Sequence, residues 1–215
     1  MTIIKKQFLT PKYWPTWAGL GLLYLISMLP FHWQIKLGSL VGNLMHKLFK
    51  SRRHITEVNI KLCFPEMPES EQQQLVRDIF RNNAIGFFET SMSWWMSDQR
   101  LDLPVTLKGK EHLEEAIARG KGVILLGAHF STLDMGGRLL SRFFDVDAMY
   151  REHNNLLMDS IIKSSREKHL GQAIERESLR SVLKALRKNR VVWYAPDQDF
   201  GPRHSVYAPF FGVPA

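Results

Sequence analysis

The sequence predicts an α/β fold in which a mainly parallel sheet is flanked by helices and preceded by an N-terminal membrane helix. From residue 105 onward, short apolar runs alternate with amphipathic stretches, which is the pattern of parallel strands joined by crossover helices. Residues 13–35 contain no Asp, Glu, Lys or Arg, which favours a membrane segment. We therefore expect two regions, a basic anchor with an amphipathic helix over 1–56 and an α/β domain over 57–215.

Charge and cysteine content exclude several classes of protein. Cys63 is the only cysteine of the 215 residues, so neither an intrachain disulfide nor a multi-cysteine metal site can form. The eight basic residues that precede the first acidic residue, Glu57, account for the whole net charge of +8. This basic end indicates an anionic partner surface. The balanced remainder argues against a nucleic-acid-binding module.

The apolar N-terminal stretch has aromatic residues at both ends. Trp14 and Trp33 are nineteen residues apart, about 28 Å along a helix, which matches the hydrocarbon core of a bilayer. The most apolar part, Trp17–Leu29, has 13 residues, a length more typical of an interfacial helix. Whether the helix spans the membrane or lies in its interface stays open. A cleaved signal peptide is one alternative, but no small-x-small cleavage site follows the apolar stretch. A buried helix of a soluble protein is the other alternative.

Residues 36–53 are expected to form a basic amphipathic helix. Leu37, Leu40, Val41, Leu44, Met45 and Leu48 have helical spacing. Such a helix lies on anionic lipid or packs on the main domain.

The remaining elements follow in order. A capping pattern at Ser70 and Gln73 predicts a helix through about Met96. Its bulky Trp94-Trp95-Met96 end indicates either core packing or a wall that faces lipid or an acyl chain. The predicted strands are Val105–Leu107, Val123–Leu126, Val146–Tyr150, Gln172–Ile174 and Val191–Tyr194. The predicted helices between them are Glu111–Ala118, Thr132–Arg142, Asn155–His169 and Leu179–Lys188. Functional residues of such sheets gather where the strands end.

His129 follows the strand Val123–Leu126, and Asp134 lies at the opening of the next helix. We expect the Asp134 carboxylate to fix the tautomer of the His129 imidazole, which could then act as a general base on a hydroxyl. Alternatively, Ser131 and Asp134 form an ordinary helix cap. The sequence has no G-x-S-x-G elbow and no Walker or dinucleotide glycine motif, which argues against a serine hydrolase and against nucleotide binding. It has no H-E-x-x-H pattern either, so we expect no metal.

These residues resemble the late acyltransferases of bacterial lipid A synthesis, the lauroyl, palmitoleoyl and myristoyl transferases. The resemblance rests on the H-x-x-x-x-D spacing and on four longer motifs, and it runs from the YWPTW segment at 13–17 to the last residue. The motifs are CFPEM at 63–67, GAHFSTLDMGG at 127–137, YREHNN at 150–155 and VVWYAPDQDFGP at 191–202.

The resemblance implies a glycerolipid-acyltransferase-like fold at the bacterial inner membrane, with the active domain on the cytoplasmic side. The implied reaction moves a fatty acyl chain, lauroyl first, from acyl carrier protein to the hydroxyl of a hydroxyacyl chain on a Kdo-bearing lipid A precursor. No cofactor is expected, since acyl carrier protein supplies the co-substrate. His129 would be the base and Asp134 its orienting partner. Arg166 would match the arginine that is considered necessary in this family. Arg151 and Asp197 would bind substrate.

Two alternatives remain at this stage. Lysophospholipid and glycerol-phosphate acyltransferases share H-x-x-x-x-D, but this sequence has APDQDFGP in place of their E-G-T-R type motif. An inactive membrane-docked scaffold that binds lipid or carrier protein is the non-enzyme alternative. The family resembled continues beyond FFGVPA with another strand and helix, so the domain is expected to be truncated at Ala215.

Overall fold

The computed structural model describes residues 6–197 and 206–214. The described residues of Met1–Met28 and Glu89–Asp197 form one compact unit, and those of Leu29–Phe88 and Gln198–Ala215 form a second. The division predicted at residue 56 stays a prediction. Within the described ranges the helices are α1 (Trp14–Ser27), α2 (Phe31–Leu48), α3 (Lys50–Cys63), α4 (Glu69–Trp95), α5 (Lys110–Ala118), α6 (Leu133–Leu140), α7 (Leu156–Glu167) and α8 (Leu179–Arg187), after two short 3₁₀ turns at Lys6–Leu9 and Pro11–Tyr13.

A four-stranded parallel sheet forms the centre of the first unit. Its strands are β1 (Val123–Leu126), β2 (Val146–Tyr150), β3 (Ala173–Glu175) and β4 (Val191–Tyr194), in the order β1-β4-β2-β3. A separate antiparallel pair, β5 (Pro209–Phe210) and β6 (Val213–Pro214), lies in the second unit. The predicted parallel sheet flanked by helices is therefore confirmed.

The predicted strand at Val105–Leu107 is wrong, because these residues are irregular. Three residues that follow Pro104 provide too short an apolar alternation to specify a strand without a partner. The capping pattern at Ser70 is also misplaced. Helix α4 already begins at Glu69, so Ser70 lies inside the helix rather than at its cap.

Three apolar clusters form the core of the first unit, and one of them packs a helix on the sheet. Helix α8 contributes Val182 and Ala185, which contact Ile174 and Val192 of the sheet. Helix α6 contributes Met135 to a cluster with Met92, Met96 and Leu101, and α7 contributes Leu157 to one with Phe8, Tyr13, Leu20 and Trp94. The bulky end of α4 is thus largely core, since Trp94 and Met96 are both buried.

The second unit contains a close contact between α2 and α4. A Cβ added at Gly38 would lie 2.8 Å from Ile85 Cγ1, and one at Gly42 would lie 2.5 Å from the Arg81 Cα. These two glycines allow the helix backbones to approach. As a result, the buried face of α2 is Gln34, Gly38 and Gly42.

The apolar row of α2 faces away from this contact. Leu40, Val41, Leu44 and Leu48 are all exposed, with Leu40 at 66% and Leu48 at 64%. The single amphipathic helix predicted over 36–53 is wrong in one respect, because the chain breaks at Phe49 and continues as α3. Ile55, Val58 and Leu62 are likewise exposed on α3.

The N-terminal apolar stretch forms two helices rather than one. Helix α1 ends at Ser27 and α2 begins at Phe31, with Pro30 at its N-cap. Proline lacks the N–H that a continuing helix needs. The 14 residues of α1 extend about 21 Å, less than the roughly 30 Å hydrocarbon core. Among the described residues, no helix combines the length and the apolarity needed to cross a bilayer, so the predicted transmembrane helix is not supported.

A buried carboxylate holds one end of the sheet together. Asp147 of β2 is 1% exposed. It accepts hydrogen bonds from Arg190 Nε at 3.0 Å, from Arg190 Nη2 at 2.7 Å and from the Gln172 N–H at 2.7 Å. The arginine precedes β4 and the glutamine precedes β3, so this carboxylate links three neighbouring strands.

We expect Asp147→Ala to lower the free energy of unfolding by about 2–3 kcal/mol. Breaking a fully buried ion pair costs about 3–5 kcal/mol, and the Arg190 side chain keeps 29% exposure, which reduces that cost. The matched control is Asp145→Ala, because Asp145 lies 3.8 Å from Arg190 but is 92% exposed, so its loss should cost less than about 1 kcal/mol. Urea denaturation measures both. Equal effects of the two substitutions would contradict the assignment.

Candidate active site

His129 lies three residues beyond the carboxyl end of β1. The neighbouring strand β4 pairs with β1 in parallel, with Leu126 opposite Tyr194. Gly127 continues this pairing, since its N–H donates to the Tyr194 carbonyl at 2.8 Å. A Cβ on Gly127 would collide with the Trp193 indole, so a larger residue fits there only if this ring moves. The His129 ring then meets the Trp193 ring edge-on, at 6.2 Å between centroids.

Both carboxylate oxygens of Asp197 contact His129. The Asp197 Oδ1 atom lies 2.7 Å from His129 Nδ1, and Oδ2 accepts the His129 backbone N–H at 2.7 Å. The backbone N–H of His129, followed by its ring, lowers the pKa of the Asp197 carboxyl below its ordinary value. An ionised Asp197 favours the tautomer with the proton on Nδ1, which leaves Nε2 as an acceptor.

The predicted pairing of Asp134 with His129 is not what the structure contains. Arg166 Nε donates to Asp134 Oδ1 at 2.7 Å, and Nη2 donates to Oδ2 at 3.1 Å. Asp134 lies in the first turn of α6 and Arg166 near the end of α7. Both carboxylate oxygens therefore face the next helix, and His129 takes its carboxylate from the adjacent strand.

The alternative reading of Asp134 as a helix cap is also wrong. Thr132 occupies the N-cap position of α6, and no side-chain cap hydrogen bond forms there. Ser131 therefore lies one residue too early to begin the capping pattern. The side chains of Arg166 and Asp134 are 23% and 15% exposed, and their bidentate geometry is the strongest form of such a pair.

One cavity of about 450 Å³ joins these groups, a size typical of small-molecule sites. His129, Asp134, Arg151 and Arg166 line it, whereas Asp197 reaches it through its bonds to His129. Most of the remaining wall is apolar, including Trp94, Leu125, Leu140, Val146, Leu170 and Trp193. The five predicted site residues thus belong to one region, and the rest of the VVWYAPDQDFGP motif, 198–202, lies outside the described residues.

Two polar residues of the cavity wall were missed from the sequence. Arg138 is 3% exposed and donates to the Met92 and Ser93 carbonyls and to Asp98. It is four residues after Asp134 on the same helix face, which is the signal that could have found it. Burial, followed by the nearby charges of Arg138 and Lys168, lowers the pKa of His169 to about 4, against a smaller opposite effect of Asp98.

The comparisons with known proteins all indicate the same family. A family model described as bacterial lipid A biosynthesis acyltransferase matches residues 1–215. The chain belongs to this family. It is 38% identical over 205 residues to the lipid A biosynthesis lauroyltransferase of Escherichia coli (strain K12), covering 95% of this chain and 67% of that protein. It is 36% identical over 208 residues to the palmitoleoyltransferase of the same strain, covering 97% of this chain and 68% of that protein.

As a member of the lipid A biosynthesis acyltransferase family, the protein is an acyl-transferring enzyme. It is also 34% identical over 210 residues to a lipid A biosynthesis acyltransferase of Haemophilus influenzae (strain ATCC 51907 / DSM 11121 / KW20 / Rd), covering 97% of this chain and 67% of that protein. The cavity suits such an enzyme chemically. It combines an imidazole nitrogen able to accept a proton, an arginine and an apolar wall.

His169 provides a stability prediction for this lipid A acyltransferase. Between about pH 6.5 and pH 4, the unfolded chain binds a proton at this histidine that the folded chain does not, since the folded pKa is about 4. Stability must therefore fall as the pH falls through this window. We expect His169→Gln to reduce this pH dependence. Urea unfolding from pH 4.5 to 7.5 measures it, with the exposed His112→Gln as control; an unchanged slope in His169→Gln would refute the assignment.

Proposed function

We propose that the protein transfers a fatty acyl chain from acyl carrier protein to the hydroxyl of a hydroxyacyl chain on a Kdo-bearing lipid A precursor. The observation that supports this best is the His129–Asp197 pair at an apolar cavity. Lauroyl is the first donor to test, because a lauroyltransferase is among the similar proteins. The palmitoleoyltransferase is almost as similar, so identity alone does not select the chain length.

The proposed reaction begins at the acceptor hydroxyl. His129 Nε2 accepts the hydroxyl proton as the oxygen attacks the thioester carbonyl carbon. The new carbon–oxygen bond gives a tetrahedral intermediate, which then expels the thiolate as the carbon–sulfur bond breaks. The imidazolium returns its proton to this sulfur. Asp197 holds the ring in one orientation and stabilises the imidazolium, which is the usual role of a carboxylate beside a catalytic histidine. The thioester already activates the acyl group, so the reaction needs no cofactor.

Arg166 is proposed to face the negative charge that develops in this reaction. Its Nε and Nη2 atoms donate to Asp134, and among the described residues Nη1 makes no hydrogen bond. The arginine lines the cavity with 23% side-chain exposure. Asp134 is therefore proposed to position Arg166, rather than His129. Nη1 would then donate to the thioester oxyanion or to an anionic group of the glycolipid.

Arg151 is proposed to bind the anionic acceptor. It directly follows β2, lines the cavity and has an exposed side chain. A planar guanidinium suits the phosphate groups of a phosphorylated glycolipid. Since Asp134 neutralises much of the charge of Arg166, a second cation is needed to attract such a substrate.

The purified protein in detergent should acylate a Kdo-bearing tetra-acylated precursor from lauroyl carrier protein, detected as mass gain. We expect His129→Ala to reduce kcat by about 10²–10⁴-fold, the usual contribution of general-base catalysis. Asp197→Asn should act through the same group, so the double variant should be no slower than the slower single variant. His112→Ala, an exposed histidine on α5, is the matched control.

Three outcomes would overturn parts of the proposal. Transfer to a lysophospholipid in place of the lipid A precursor would replace the substrate class. Full activity of His129→Ala would exclude the proposed base. Additive losses in Asp197→Asn with His129→Ala, combined with non-additive losses in Asp134→Asn with His129→Ala, would return the orienting role to Asp134.

We also propose that the enzyme works on the surface of the bacterial inner membrane, facing the cytoplasm, with α2 lying in the lipid interface. The support is the outward apolar row Leu40, Val41, Leu44 and Leu48 beside Lys36 and Lys47. A helix that packed its apolar face on the protein would bury this row, whereas α2 buries glycines. Apolar residues flanked by lysines are typical of interfacial helices on anionic lipid.

We expect Leu44→Glu with Leu48→Glu to weaken binding to phosphatidylglycerol-containing vesicles by tenfold or more. Each leucine that loses its lipid contact costs about 1.5–3 kcal/mol. Co-sedimentation measures the binding, and Leu179→Glu with Leu183→Glu, two exposed leucines of α8, is the matched control. Unchanged sedimentation of the α2 variant would exclude this helix as the lipid contact.

A further inference from the structure

Helix α8 presents a basic outer face that the reaction chemistry does not use. Val182 and Ala185 are buried against the sheet. The opposite face is exposed along its whole length and consists of Leu179, Arg180, Leu183, Lys184, Arg187 and Lys188. These six residues line one shallow surface depression. The sequence contains no acidic residue from Ser178 to Pro196, so no carboxylate within the helix itself offsets the positive charge of this face.

The four basic side chains of this face have no carboxylate partner among the described residues. The ion pairs nearby in sequence belong to Arg176 with Glu177 and to Arg190 with Asp147, and neither involves the outer face of α8. Unpaired, exposed cations on one face produce a local positive potential. An acidic partner would therefore meet attraction across the full length of the helix.

Helix stability does not account for this arrangement. Basic residues stabilise the last turn of a helix, which explains Arg187 and Lys184. Arg180, however, lies in the first turn, where the helix dipole disfavours positive charge, and that turn holds no acidic residue. The exposed Leu179 and Leu183, at 66% and 46%, add apolar contact area between the cations.

The N-terminal end of the face lies at the same edge of the sheet as the catalytic groups. Strand β3 ends at Glu175 and α8 begins at Leu179, so α8 starts at the edge of the sheet where the parallel strands end. His129 and Asp197 follow β1 and β4 at that same edge. The sheet order β1-β4-β2-β3 separates β3 from these two strands by two or three strand spacings, about 10–14 Å. A flexible thioester arm could span this distance.

We propose that the outer face of α8 is the docking surface for the acidic acyl carrier protein. This inference rests on the proposed function, since it concerns the carrier that delivers the acyl thioester. Electrostatic complementarity would steer the carrier and set its orientation, while Leu179 and Leu183 would contact an apolar patch of its surface. An anionic membrane is the less favoured occupant, because α8 exposes two leucines where α2 exposes a continuous apolar row.

The test replaces Arg180, Lys184 and Arg187 together by glutamate. Fluorescence anisotropy of labelled holo-acyl carrier protein should show binding weakened by tenfold or more, and binding to the unmodified protein should weaken steeply with added salt. The matched control, Arg52→Glu with Lys61→Glu and Arg77→Glu, makes the same charge change at exposed positions of α3 and α4 and should bind normally. A second variant with glutamine at the three α8 positions, compared by circular dichroism, separates lost charge from lost folding.

Transfer kinetics separate docking from chemistry. In the glutamate variant the KM for lauroyl carrier protein should rise tenfold or more, whereas transfer from lauroyl coenzyme A, which has the same thioester arm without the carrier, should keep its kcat. Normal carrier binding and normal KM in a folded variant would overturn the docking surface. Loss of vesicle binding with carrier binding intact would assign the face to lipid instead. Absence of transfer from either donor by the unmodified protein would overturn the proposed function, while the anisotropy result would still decide the docking surface.

Discussion

The parallel register of β1 and β4 is the constraint on which the candidate site depends. Leu126 pairs with Tyr194, a separation of 68 residues along the chain, and His129 and Asp197 are also 68 residues apart. The two side chains therefore leave neighbouring strands at the same level. A slip of one residue would turn the alternating side chains to the opposite face and separate the pair. Gly127 extends this pairing by one residue, at a position where a larger residue would collide with the Trp193 ring.

The alternation of strands and helices could be predicted from the sequence, but the order of the strands could not. The bounds of β1, β2 and β4 are the predicted ones, because short apolar runs between amphipathic stretches identify buried strands. Which strands become neighbours depends on where the crossover helices return, and local pattern does not record this. Asp134 was the nearest acid in sequence to His129, and Asp197 the nearest in space. The resemblance to a family identified Asp197 as functional, while only the sheet order explains its contact with His129.

The N-terminal helices were harder to predict, because apolar composition does not reveal which face of a helix is buried. Leu40, Leu44 and Leu48 of α2 have the spacing of a core-facing row, and the structure exposes them. The buried face is instead selected by Gly38 and Gly42, which have no side chain to hold the α4 backbone away. Hydrophobic periodicity assumes that apolar side chains drive burial. Close backbone packing at glycines reverses that expectation, and it leaves an outward apolar face available for the lipid contact proposed for α2.

The two carboxylates of the site have separate partners, and this separation limits what each can do. Asp134 uses both oxygens on Arg166, so it could orient His129 only by giving up a bidentate ion pair. Asp197 uses both oxygens on His129, so it has little capacity left for a substrate cation. Arg166 in turn brings a largely neutralised charge to the cavity. Attraction of anionic partners would therefore come from other cations, which the described residues provide at Arg151 beside the cavity and along α8.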